Sequence, residues 1–143
     1  MLFLLHALKK KTIMIQYTIQ PKSNPTDRSV VKYYPQVAPA TPMTLDQIVK
    51  RIEKRSTVSS ADVKAVLDAL QYEVIDALES GNSVRLGDLG SFHLTFNAEG
   101  AATLDEAKKQ GARLIKKVNV QFTKSTAMRD ALDVQRLNFA AED

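Results

Sequence analysis

The first clear pattern has a period of two. Ile15, Tyr17 and Ile19 alternate with Gln16, Thr18 and Gln20, and Val30 to Val37 is a second run rich in β-branched and aromatic residues. Between them Pro21-Lys22-Ser23-Asn24-Pro25-Thr26-Asp27 is dense in turn formers, so the segment predicts a β-hairpin. Pro35, Pro39 and Pro42 then predict an extended connector to Thr41, because each proline fixes its own φ and keeps its predecessor out of the helical region.

The period changes to that of a helix at Thr44. Thr44-Leu45-Asp46-Gln47 has the form of a capping box, and Leu45, Ile48, Val49 and Ile52 follow on one face, predicting a helix to about Arg55. Ser59-Ser60-Ala61-Asp62 starts a second helix whose stripe is Val63, Val66, Leu67, Leu70, Val74, Ala77 and Leu78, with Gly81 as its stop. Tyr72 and Ile75 widen that stripe. A helix with so broad an apolar face buries two sides, and in a chain this short the second side is expected to belong to another subunit.

After Gly81 the period returns to two. Val84 and Leu86 oppose Arg85, and Phe92, Leu94 and Phe96 oppose His93 and Thr95, with the glycine-bounded turn Gly87-Asp88-Leu89-Gly90 between them. A returning strand places Val118, Val120 and Phe122 inward and Lys117, Asn119 and Gln121 outward. The connection from Asn97 to Arg113 holds Thr103-Leu104-Asp105-Glu106, another capping pattern, and Gly111, enough for one or two helical turns. Ser125 can cap a final helix carrying Met128, Ala131 and Leu132, and Leu137 and Phe139 give the tail something to bury.

Charge sharpens this picture through its distribution. The formal net charge of the 143 residues is only +4, yet Lys108 to Arg129 holds seven basic residues and no acid. The outward set Arg85, His93, Thr95, Lys117, Asn119 and Gln121 contains no carboxylate, and Lys108, Lys109, Arg113 and Lys116 lie towards the connection. Phosphate oxygens are met by such donors, with cations releasing counterions and amides fixing register. A solvated sheet face is the plainer explanation of the same pattern. Lys124 and Arg129 flank the start of the last helix, where solubility alone would also account for them.

Other chemistries find little support. Cysteine is absent, which removes disulfides and thiolate ligands. The only histidines are His6 and His93, so no nucleophile–base pair, catalytic residue or multi-histidine metal site is expected, and no cofactor. Gly87-Asp88-Leu89-Gly90 lacks the spacing of a phosphate-binding loop. The apolar run Leu2-Phe3-Leu4-Leu5 precedes its lysines and is far shorter than the roughly 20 residues a membrane-spanning helix needs. Residues 1–13 are expected to be a disordered leader or a start-site artefact, with a membrane-touching tail as the alternative.

Two stretches carry a family resemblance. Ser83-Val84-Arg85-Leu86-Gly87-Asp88-Leu89-Gly90-Ser91-Phe92 resembles the strand-turn-strand of the HU and integration-host-factor family of bacterial histone-like proteins, Leu89 standing where the family has an aromatic. Phe122 to Leu132 is similar to the family's entry into its last helix, with Thr126 in place of a usual lysine. The extension from Tyr17 to Tyr34 resembles a longer, divergent branch. The resemblance implies an α+β fold: two N-terminal helices, an antiparallel three-stranded sheet with an arm, and a C-terminal helix, preceded here by the hairpin. The expected organisation is a leader at 1–13, hairpin and linker at 14–42, and an HU-like DNA-binding domain at 43–143.

The same resemblance implies an intertwined homodimer laid over duplex DNA, with Leu67, Leu70, Tyr72, Val74, Ile75, Phe92 and Phe96 in its dimer core. The family's arm ends in a proline that wedges between base pairs. Here Ala98 to Gly111 has no proline and contains Glu99, Asp105 and Glu106, so the arm is shortened and binding is expected to be shallow and backbone-directed. The expected function is non-enzymatic, architectural, non-sequence-specific DNA binding in the cytoplasmic nucleoid. Arg85, His93, Lys108, Lys109, Arg113, Lys116, Lys117, Asn119, Lys124 and Arg129 would be the contacts, with no membrane or small-molecule partner. The competing expectation is an interaction or assembly module that keeps the fold without binding DNA.

Overall fold

A computed structural model describes residues 13–142 of the chain; the expected leader falls, apart from Ile13, outside them. The chain divides into two compact units, one formed by the N-terminal segment to Pro42 with the tail from Ala131, the other by Met43–Asp130.

In the first unit β1 (Ile15–Ser23) and β2 (Val31–Val37) form the expected hairpin, and β6 (Phe139–Ala141) adds a parallel strand on the far side of β1. The register pairs Tyr17 with Val37, Ile19 with Pro35 and Pro21 with Tyr33, so one face is apolar; Gln20 with Tyr34 and Lys22 with Lys32 make the other polar. Pro21, expected in the turn, lies inside β1 instead, and Pro35 lies inside β2, within the run read as the second strand. Pro35 is tolerated because β2 is a sheet edge, and Pro21 because β6 accompanies β1 only as far as Tyr17. The tail joins the sheet by backbone bonds, Ile15 donating to Asn138 at 2.8 Å and Glu142 to Tyr17 at 3.0 Å.

The second unit begins with α1 (Leu45–Arg55), closed by the capping box read from the sequence: Gln47 N–H donates to Thr44 Oγ1 at 3.3 Å and Thr44 N–H to Gln47 Oε1 at 2.9 Å. Ser59 caps α2 (Ser60–Glu79), and Gly81, at φ 81°, ends it in a conformation that costs a glycine little. Val49 of α1 and Val63 and Leu78 of α2 are buried where the helices meet each other and the sheet. The antiparallel sheet has the order β3 (Val84–Arg85), β4 (Gly90–Ala98), β5 (Ile115–Lys124). Between β4 and β5 the connection contains α3 (Leu104–Gln110) and a 3-10 turn, Gly111–Leu114.

The C-terminal helix is shorter than expected. α4 runs only from Thr126 to Ala131, started by Ser125, whose Oγ accepts from Met128 N–H at 3.0 Å. The residues beyond it turn into strand β6, so the architecture is α+β with a second small sheet rather than a hairpin standing alone.

Candidate nucleic-acid interface

Strand register sets what each face of the β3–β4–β5 sheet presents. Arg85 lies opposite Ser91, His93 opposite Gln121, Thr95 opposite Asn119 and Asn97 opposite Lys117, which puts all of them on one face. This face carries no carboxylate. Asn119 Nδ2 donates to Asn97 Oδ1 at 3.0 Å, a diagonal cross-strand bond that fixes both amides. His93, Thr95 and Asn119 are half-buried, whereas Arg85, Lys117 and Gln121 are exposed. The result is a row of hydrogen-bonding groups with exposed cations at its margins. Asn97 was not among the residues singled out from the sequence, although its spacing of two from Thr95 is the signal that finds it.

The remaining cations sit elsewhere. Ala98 pairs with Ile115 while Asn97 pairs with Lys117, so Lys116 is the extra residue of a bulge at the base of the arm. Its Nζ lies 3.5 Å from Glu99 and donates to the Arg113 carbonyl at 3.3 Å. Lys116 is therefore engaged with the arm itself. The arm is closed by Glu99 N–H donating to Leu114 O at 2.9 Å. Within it α3 carries Asp105 and Glu106 in its first turn and Lys108 and Lys109 in its last, the arrangement that complements a helix dipole. Thr103 accepts from Glu106 N–H at 3.2 Å, one half of the capping pattern. Arg113 occupies the 3-10 turn.

Lys124 pairs with Gly90 and shares the parity of Phe122, so it belongs to the side opposite Lys117, and Arg129 belongs to α4. The ten residues read from the sequence thus fall into three groups: Arg85, His93, Lys117 and Asn119 share the donor face, Lys108, Lys109, Arg113 and Lys116 belong to the arm and its base, and Lys124 and Arg129 lie at the exit of β5.

The reverse face is apolar and largely uncovered. Phe92 and Phe122 are stacked at a tilt with ring centroids 5.1 Å apart, while Phe96, Val118 and Val120 remain more than half exposed. On α2 the pattern continues: Leu67 and Val74 are half-buried, but Leu70, Tyr72 and Ile75 are exposed, Tyr72 to 77%. Large apolar side chains left open on facing elements mark an interaction surface rather than a finished monomeric core. Among the described residues no cluster of three or more His, Cys, Asp or Glu could hold a metal ion, and no helix is long and apolar enough to cross a membrane.

No curated protein matches the chain. Among solved structures, a Bacteroides vulgatus protein described as a candidate bacterial DNA-binding protein is similar with a TM-score of 0.62 at 18% identity, over 91% of this chain and 50% of that one. This chain therefore spans half the length of the Bacteroides protein, with which it shares the fold. HU from Thermotoga maritima (TM-score 0.44, 19% identity, 64% of this chain and 100% of that one) and Anabaena HU in a cocrystal with DNA (0.49, 20%, 64% and 99%) are more distant likenesses. The profile of the HU-HIG family, described as an HU domain fused to wHTH, Ig, or glycine-rich motif, matches residues 13–138. The chain belongs to the HU-HIG family, and the match takes in the hairpin.

Proposed function

We propose that the protein is a non-enzymatic, homodimeric duplex-DNA-binding protein that acts architecturally at the nucleoid, with little sequence preference. The observation that carries this reading is the two-sided sheet. One face offers Arg85, Lys117, His93, Asn97 and Asn119 without a carboxylate, the composition a phosphate backbone selects. Its other face, with Phe96 58% and Val120 59% exposed, needs a cover that a second copy supplies through the same residues and the open side of α2. Contacts of this kind position a protein on DNA and carry no base identity, so binding is expected to be nearly uniform across sequences. The membership in a family built on an HU domain supports the choice of ligand.

The test is duplex binding by Arg85→Gln with Lys117→Gln, followed by anisotropy over a range of salt concentrations. Loss of two phosphate contacts from each protomer of the dimer lowers the slope of log K against log salt by about four, at similar cost for every sequence. A slope equal to that of the parent chain would remove the sheet face as the DNA site.

A second reading is an assembly module that retains the fold without DNA. It is favoured by the arm, whose Lys116 is held by Glu99 and whose lysines are matched by acids in the same helix. Gel shifts with random duplex, nicked duplex and RNA separate the two: no retardation of any of them selects the module.

A further inference from the structure

The hairpin sheet holds a charge arrangement that the function proposed above does not use. Lys22 and Lys32 are direct cross-strand partners, so their side chains rise from the same face of the β1–β2 ribbon. Like charges placed directly opposite each other on a sheet are destabilising, and a fold keeps such a pair at a cost. No acid relieves it. Neither lysine takes part in an ion pair among the described residues, where the pairs are Lys64 with Asp46 and Lys116 with Glu99. The single acid of the hairpin, Asp27, is spent in the turn, accepting from Ser29 Oγ at 2.6 Å and Ser29 N–H at 3.0 Å. Glu142 enters the sheet beside Tyr17, towards the other end of β1.

The surroundings of the pair are those of an anion site. Lys22 Nζ lies over the Tyr34 ring, 5.8 Å from its centroid, beside a cleft bounded by Lys22, Lys32, Tyr34, Ser23 and Asn24, with Pro25 and Val30 at its turn end. Both lysines are exposed, and Arg28 adds a third cation in the turn. Among the strand residues, Ile19, Val31 and Tyr33 have the opposite parity, while Tyr34 shares that of the lysines. Two ammonium groups, a hydroxyl and an amide around one cleft are the donors that the phosphates of a polyanion require.

We infer that the Lys22–Lys32 pair binds a backbone phosphate of duplex DNA, giving the chain a second contact outside the HU-like unit. The lysines then exchange mutual repulsion for a shared anion, and Tyr34 holds the nearer ammonium in place. This extends the function proposed above to a new surface without using any residue of the sheet face.

The experiment uses the full chain and a labelled mixed-sequence duplex, with anisotropy read over a salt series. Lys22→Gln with Lys32→Gln is expected to weaken binding roughly tenfold at physiological salt and to lower the salt slope by about two, one shared phosphate for each protomer of the dimer, and Lys22→Arg with Lys32→Arg to restore both. An unchanged slope overturns the inference, as does an equal loss in the arginine variant, or a loss seen only with single strands or with anionic vesicles. Circular dichroism confirms that each variant folds. Arg85→Gln with Lys117→Gln, run alongside, keeps the two ideas apart. If only the hairpin variant loses affinity, the sheet face fails and the hairpin site stands; if only the sheet variant does, the hairpin site fails.

Discussion

Gly90 packs against the ring of Phe122: a β-carbon at Gly90 would come within 2.8 Å of the ring's Cζ and closer still to the backbone oxygen of Thr123. Its φ of 148° is also one that side-chain-bearing residues rarely adopt. Gly90 is buried where the turn from Leu86 enters β4, with Leu86 N–H donating to its carbonyl at 2.8 Å. Gly90→Ala is expected to cost about 2–4 kcal/mol, from backbone strain and overpacking together, and to lower the urea midpoint accordingly. Gly87→Ala has φ strain but open space and should cost less. Equal midpoints for the two variants would refute the close approach.

Adjacent lysines are expected to differ in their effect on DNA binding. Lys117 projects from the donor face, while Lys116 occupies the bulge with Glu99 and the Arg113 carbonyl. Lys117→Ala, present in both protomers, should therefore reduce the salt slope by about two, and Lys116→Ala by clearly less. Lys116→Ala should also leave stability nearly unchanged, since an exposed ion pair contributes about 0–1 kcal/mol. Salt titration of the two single variants checks both statements.

Val120 is 59% exposed within one chain, so a solvated monomer would accept a charge there with a change of about 0.5 kcal/mol or less. If the apolar sheet face is the subunit interface, Val120→Asp buries an unpaired carboxylate and drives the protein to monomer with a large loss of stability. Sedimentation together with denaturant unfolding decides between these outcomes. A Val120→Asp variant that stays associated and fully stable would remove the sheet from the interface.

Hydrogen bonds from the Ser29 hydroxyl and then its N–H hold the Asp27 carboxyl below its ordinary range. Because the folded value lies below the unfolded one, the contribution of Asp27 to the turn is present above the unfolded pKa and is lost as pH falls through the folded one. A carbon-13 NMR titration of Asp27 should give a midpoint below that of a free aspartate, and Ser29→Ala should raise it.

Much of the fold follows from local rules that act within a few residues. Thr44 and Gln47 close their box and Gly81 stops α2 because caps involve only neighbouring backbone groups. The two-residue period of Ile15 to Ile19 and of Phe92 to Phe96 separates apolar from polar faces before any partner strand is known. Where partners mattered, the pattern said less. Phe139–Ala141 is too short and bland to signal a strand, and it becomes one only because β1 offers it a free edge. α4 ends at Ala131, where the chain leaves for that edge.

The sequence by itself determined where α1 and α2 start and the two-residue period of the hairpin and of the central sheet, that β4 and β5 have one polar and one apolar face, and that their polar side chains include no acid. These are properties of side-chain order, and backbone geometry converts them to faces directly. Only the tertiary structure decided which cations act together. A one-residue bulge takes Lys116 off the sheet and gives it to Glu99, and a hairpin register sets Lys22 against Lys32. Register is a property of two strands, so no pattern within one strand could have specified either.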